Sequence, residues 1–430
     1  MPNGTAVLNG KDKYKNSRIL YLFEASFANL IDVLANGAYL AKLTSEIGIS
    51  DGMTAILTAL TSLAGIAQLV TIRLAGKATY KRTVIGIMIP AELIFASLYL
   101  IPFLNLGAVG MSVIFFIAML SARILESVIM PLKVTWFMNL VPIENRGEYT
   151  SVLRITSALG TVIVSFAAGF VIDYFDSQDN IECAFLVLCG MILFFTLSNL
   201  LTLALSREKE REVKTGNANL SSNLKHLLKE KTFTKLILIL LLAAVGNNVI
   251  TPFTGTYKIN ELGFTMTFIS TLTSVSTIIR ILTMYVFGRL SRRISHETIL
   301  NIGYAVTFVG FLINIFSSPK APFLYVIFSV LNSVSVGVLA ISSTNIILEL
   351  FTREHQAAAI SVSTIATGFL AFLSTIAVSP FVSFMQSRGN QLFGITVYAQ
   401  QLLSALAAFF YLVLIIYYNL SFLPEKRKKS

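Results

Sequence analysis

Eight charged side chains fall inside otherwise apolar stretches of this 430-residue chain: Glu24, Asp32, Glu92, Arg123, Glu126, Lys133, Arg154 and Arg280. An ionisable group near the centre of a bilayer costs roughly 2.5–3.5 kcal/mol on insertion scales, so each should face a cavity or a partner. Four acids against four bases leave such an interior close to neutral. Arg123 and Glu126 stand three residues apart and can pair on one helix face, which Lys133, seven residues beyond Glu126, shares. Two chemistries fit this spacing. Arg123 or Lys133 could bind an anion or hydroxyl while Glu126 carries a proton. Alternatively, the charges form a self-neutralising ladder that holds the fourth helix against the fifth through Arg154. Glu92 follows Pro90 and is expected to meet lipid or the helices of its own half.

The first apolar stretch has the clearest polar stripe. Ala25, Asn29, Asp32, Asn36 and Tyr39 fall within a narrow arc at about 100° per residue. These residues are expected to line a polar path, with Asp32 binding a cation or a proton. The competing expectation is that Asp32 pairs with a base and fixes helix packing. Glu24, at the edge of the arc, is expected in a structural pair or gate.

Composition sets the elements that must hold these groups. Hydrophobic residues make up 55% and charged residues only 13%, about half of the roughly 25% usual in soluble domains. The mean hydropathy is +0.75. A soluble chain of this length could not hide so much apolar surface, whereas a bilayer can act as its solvent. Helices satisfy their own backbone hydrogen bonds there, at about 20 apolar residues per crossing. Apolar runs predict twelve helices, near 18–41, 52–74, 83–104, 108–139, 147–173, 181–205, 233–257, 266–287, 298–317, 321–350, 356–384 and 393–420. The expected fold is an all-α polytopic membrane protein with twelve transmembrane helices in two pseudo-symmetric six-helix bundles. The bundles are 18–205 and 233–421, flanked by tails at 1–17 and 422–430 and joined by a linker at 206–232. In the linker, Leu220, Leu224, Leu227 and Leu228 follow helical spacing, as in a helix lying on the membrane surface.

Net charge is +11, but its distribution speaks against nucleic acid. Lys and Arg concentrate in the N-terminal tail, at Arg73–Arg82, Arg146, the linker, Arg289–Arg293, Arg353 and the C-terminal tail. The alternate loops hold little more than Lys42, Lys258, Lys320 and Arg388. With an even number of crossings, the positive-inside rule puts both termini and the linker in the cytoplasm. No cleavage pattern precedes the first helix. Cys183 and Cys189 suggest neither a disulfide framework nor a metal site. His226, His296 and His355 read as loop residues rather than a metal cluster, and no phosphate-cradling Gly-Lys-Ser/Thr run appears. No enzyme activity, metal or cofactor is expected. Trp136 and Tyr149 are expected to anchor the cytoplasmic interface.

The halves repeat. SEIGIS at 45–50 resembles NELGFT at 260–265, LTSLAGIAQLV at 60–70 matches LTSVSTIIRIL at 272–282, and ENRGEYTSVLRITSALG at 144–160 resembles EHQAAAISVSTIATGFL at 354–370. The offsets are 215, 212 and 210, in order and at equivalent topological positions. They relate Asp32 to Asn247, Asn36 to Thr251 and Gln68 to Arg280. Gln68 and Arg280 are thus expected on opposite walls of one cavity near the midplane, with Arg280 contacting solute or pairing with Asp32.

These segments resemble the major facilitator superfamily over about 18–421. The basic loops GKATYKR at 76–82 and GRLSRRISHE at 288–297 match its joints between the second and third helices of each half, without the family's usual acid. LVPIENRGEY at 140–149 is similar to its junction of helices 4 and 5. The resemblance implies a secondary transporter working by alternating access. The interior bases favour a small polar solute, a sugar or an organic anion, although the acids equally permit a cation, and Asp32 and Glu126, acids beside bases, are the expected sites of proton coupling. The expected solute ligands are Asn29, Asp32, Asn36, Gln68, Arg123, Arg154, Asn247 and Arg280. Solute competing for Arg280 or Arg123 would release the partner carboxylate to take a proton. A drug–proton antiporter is disfavoured because the fifth helix has Gly160 and Gly169 but no proline. A lipid flippase, or a non-transporting sensor signalling through the linker, are the other readings. The expected partners are a lipid bilayer and a small-molecule substrate, with the chain a monomer in the cytoplasmic membrane.

Overall fold

The computed structural model of the protein describes residues 13–68, 71, 79–104, 106–209, 230–291, 293–351, 353–392 and 394–424. The leucine stripe of the linker, Arg73, Lys77, Arg292 and the basic C-terminal tail lie outside the described residues.

Ten helical spans among the described residues are long and apolar enough to cross a membrane. Two more complete the twelve. Asp51–Ala67 is shorter, and Tyr80–Leu98 carries Lys81, Arg82 and Glu92 within its nineteen residues. The helices that matter below are α1 (Lys15–Leu34), α2 (Gly37–Glu46), α3 (Asp51–Ala64), α4 (Tyr80–Leu98), α5 (Ala108–Met138), α6 (Arg146–Asp176) and α7 (Ile181–Leu205). After the linker come α8 (Lys231–Asn248), α9 (Met266–Leu290), α10 (His296–Asn314), α11 (Phe323–Leu350), α12 (Arg353–Ser387) and α13 (Ala399–Tyr417). Outward faces are apolar: Ile163, Phe194, Leu282 and Phe409 are each more than half exposed. That inversion of the soluble pattern suits contact with lipid.

Two predicted helices are interrupted at equivalent places. The first breaks at Ala35–Asn36, between α1 and α2, where the Asn36 side chain accepts from the Gly37 amide at 2.8 Å. The seventh breaks after Asn248, where Pro252 has no amide hydrogen to continue the ladder. Short turns then carry the chain to Glu261. The last helix begins at Ala399 rather than near 393, because Gln391–Leu392 and Ile395–Thr396 form a small antiparallel hairpin first.

The chain divides into two compact units. One comprises Met1–Ile49, Ala64–Thr215 and Thr265–Ser270; the other comprises Ser50–Leu63, Gly216–Phe264 and Thr271–Ser430. Within the first unit α1 packs on α6 and α7, and α4 on α5 and α7. Within the second, α8 packs on α12 and α13, and α10 on α11 and α13. These four pairings correspond one to one under the sequence repeat.

Lipid gives no hydrophobic drive for helices to associate, so packing and hydrogen bonds must hold each unit together. In the first unit Tyr21 stacks on Phe137 at 4.0 Å and Trp136 on Phe137 at 4.4 Å. Trp136 donates to the Arg207 carbonyl at 3.1 Å, and the Tyr149 hydroxyl donates to the Arg18 carbonyl at 2.6 Å. Both rings are buried, so they are core residues and not the interfacial anchors expected. Glu208, early in the linker, accepts from the Tyr80 and Lys81 amides that open α4. An acid at a helix N-terminus is the favourable placement. In the second unit Tyr304, Phe311, Phe328 and Tyr411 form an aromatic cluster. Asn314 donates to Ser404, and Asn301 to Asn419, between helices.

Two short segments join the unit opposite to their sequence half. Met266 and Thr267, opening α9, donate their amides to the Asp173 carboxylate of α6 at 2.8 and 2.7 Å. A Cβ on Gly169 would stand 2.5 Å from Ser270 Oγ and 2.8 Å from the Met266 carbonyl, so only glycine admits this approach. In the second unit Asp51, opening α3, accepts from Asn260 at 2.9 Å and Gln386 at 2.6 Å. There a Cβ on Gly52 would meet Ser379 Oγ at 2.6 Å.

Candidate functional site

The first unit collects its charges between α1, α4 and α5. Arg123 Nη1 donates to Asp32 Oδ1 at 2.5 Å and to Glu126 Oε2 at 2.8 Å. Its guanidinium lies 4.7 Å from the centre of the Phe95 ring. The Arg123 side chain is 2% exposed, whereas those of Asp32 and Glu126 are 40% and 41% exposed. One buried cation therefore serves two carboxylates that remain accessible. One helical stage further along α5, Lys133 donates to Glu24 at 2.8 Å, and both side chains are buried. Glu92 of α4, also buried, accepts from Asn199 at 2.7 Å.

The ladder on α5 exists but faces a different partner from the one expected. It ties α5 to α1, through Asp32 and Glu24. Arg154 is exposed, and it pairs with no carboxylate among the described residues. The reason is that α5 packs chiefly on α4, with α1 beside it, so its charged face meets α1. Asp32 has Arg123 as its partner. Of the other residues expected on this side, Asn29 donates to Thr161 of α6 at 2.6 Å. Asn36 uses its side chain at the helix break. Gln68 follows the short turn Gly65–Ala67 and is half-buried.

The second unit holds a cavity of about 210 Å³ between α9, α11 and the turns that follow α8. Arg280 lines it, as do Thr251, Thr254 and Lys258 from the broken seventh span. From α9 come Thr273, Ser276 and Thr277; from α11 come Tyr325, Ser329, Asn332 and Ser333. Arg280 Nη2 lies 3.4 Å from Thr277 Oγ1, and Ser276 Oγ lies 3.2 Å from Ser329 Oγ across the helices. Asn247 is half-buried in the last turn of α8 and does not line the cavity.

Several of these residues were not anticipated. The distribution of bases places Lys258 in an outer loop, whereas it lines the cavity. Its signal was present: Thr251, Thr254 and Lys258 stand at helical i, i+3, i+7 spacing. Ser329, Asn332 and Ser333 share one face of α11 by the same rule, but small hydroxyls are common in membrane helices and do not stand out.

A broken helix beside a polar cavity, inside a shell of apolar helices, is the architecture of a polytopic solute transporter. Comparison with known proteins agrees. The family model for the Major Facilitator Superfamily matches residues 22–375, and the chain belongs to that superfamily. Its general activity is secondary transport of a small molecule across a membrane. Among solved structures, the nucleoside transporter NupG is similar at a TM-score of 0.66 and 14% identity, covering 94% of this chain and 97% of that one. A D-xylose-proton symporter aligns at 0.66 and 14% identity, over 93% and 97%. A bacterial homologue of the human lysosomal transporter Spinster aligns at 0.68 and 11% identity, over 95% and 97%. At these identities the likeness concerns the fold alone. No curated protein sequence matches the chain.

Proposed function

We propose that the chain is a secondary active transporter that moves a small polar organic solute, a sugar or an organic anion, by alternating access and coupled to protons. The observation that carries this reading is the pair of half-exposed carboxylates, Asp32 and Glu126, sharing one buried Arg123. One cation cannot neutralise two acids, so the cluster has room for a proton. A solute group that competes for Arg123 would free a carboxylate to take it. The polar cavity around Arg280 supplies solute contacts in the second unit, and the breaks at Asn36 and Thr251 offer backbone groups in both units. Asn29, Gln68, Arg154 and Asn247 are further candidate ligands. The distribution of Lys and Arg supports cytoplasmic termini in the cytoplasmic membrane, and the chain is proposed to work as a monomer.

Uptake into liposomes carrying the purified protein, with and without an inward proton gradient, tests this reading. Asp32→Asn is expected to abolish gradient-driven accumulation while downhill exchange continues. Accumulation that persists with unchanged pH dependence would remove Asp32 as the coupling group. Solute-dependent signalling without flux would replace the transporter by a sensor.

A further inference from the structure

The charges around the second unit's cavity do not balance. Arg280 and Lys258 both line it, and no carboxylate does. Among the described residues neither base takes part in an ion pair. The acids of the first unit's interior already have partners: Asp32 and Glu126 share Arg123, Glu24 holds Lys133, and Glu92 accepts from Asn199. The rest of the lining is mainly hydroxyl and amide, with Thr277 beside the Arg280 guanidinium, Asn332 on the facing helix, and an apolar part from Leu272, Phe328 and Val336.

Two uncompensated cations in a membrane span are expensive, and such groups mark sites where a counter-charge arrives. A guanidinium offers two parallel N–H groups that match the two oxygens of a carboxylate or phosphate, while an ammonium acts as a point charge. Neighbouring hydroxyls can donate to the remaining oxygen lone pairs. A neutral polyol could hydrogen-bond to these hydroxyls and to Asn332 but would leave both charges uncompensated. We infer that this cavity binds the oxyanion of the transported solute, so that the substrate is an organic carboxylate or phosphate and not a neutral sugar. The inference rests on the transporter reading above and narrows its substrate class.

The test uses the full-length protein in proteoliposomes and matched sets of probes: glucose, gluconate and glucose phosphate; glycerol, glycerate and glycerol phosphate; uridine and uridine monophosphate. Ligand-induced rise in melting temperature reads binding, and counterflow reads transport. In at least one set the anionic member is expected to bind and exchange about tenfold or more better than its neutral parent, as a lost charge-assisted hydrogen bond would give. The carboxylate and phosphate arms separate the two oxyanions. Arg280→Gln should remove that preference, Lys258→Gln should reduce it less, and Arg280→Lys should restore part of it. Equal binding of parent and anion by the unaltered protein overturns the inference without relying on any variant. Anion binding unchanged in both Arg280→Gln and Lys258→Gln also overturns it. If only neutral parents are exchanged, the anion site falls and the transporter stands. If no member of any set binds or moves, both fall.

Discussion

The two units hold their interior cations in opposite ways. In the first, Arg123 and Lys133 are buried and each is held by a carboxylate from α1, Arg123 also by Glu126 of its own helix. In the second, Arg280 and Lys258 border open space and have no carboxylate. A buried charge that loses its partner is strongly destabilising, whereas a cation that lines a cavity without a carboxylate has no ion pair to lose. Mutational cost should therefore fall on stability in one unit and on solute handling in the other.

The Lys133–Glu24 pair gives the largest expected effect. Lys133→Met should destabilise the protein by about 3–5 kcal/mol, because Glu24 is left buried and unpaired. Adding Glu24→Gln should recover most of that loss in thermal melts of the detergent-solubilised protein. A double variant no better than the single one would break the pairing argument. Gly169→Val comes next, at about 1–3 kcal/mol from overpacking against Ser270 and the Met266 carbonyl, and Gly52→Val should behave alike in the second unit. Asp173→Ala should cost about 1 kcal/mol through loss of the N-terminal cap on α9, readable by the same melts. The smallest effect belongs to Arg280→Gln, which should move stability by less than about 1 kcal/mol, as expected of a residue whose side chain makes no ion pair and only a long hydrogen bond to Thr277. A large drop in melting temperature for Arg280→Gln would erase the contrast between the units.

The sequence made the helices and their repeat readable because a bilayer demands long apolar runs and because each run is local. The matched offsets equate helices of the two halves, and the four pairings recur under that correspondence. What could not be read depends on distance along the chain. Lys133 and Glu24 are 109 residues apart, and nothing in either neighbourhood names the other. Arg154 looked like a rung of the α5 ladder only because α6 follows α5 in sequence, while the packing sends α5 to α1. The break after Asn248 was masked by apolar content: Val249, Ile250 and Phe253 are as hydrophobic as a continuous helix. A span read as continuous to 257 leaves Lys258 in a loop, away from the cavity that it lines. Residues that cap or break helices carry their information in backbone geometry, which hydropathy does not record.

The segments that cross between units bear on how the chain is made. The first unit needs 265–270 to complete its packing around Gly169 and Asp173. Those residues leave the ribosome only after the linker and the whole of α8. The second unit in turn draws on 50–63, which are synthesised early. Until α9 has been synthesised, Asp173 lacks the Met266 and Thr267 amides and Gly169 lacks the Ser270 contact that they have in the folded chain. A gene split at the linker would yield two fragments that each lack a piece of their own fold. They would be expected to mature only when produced together.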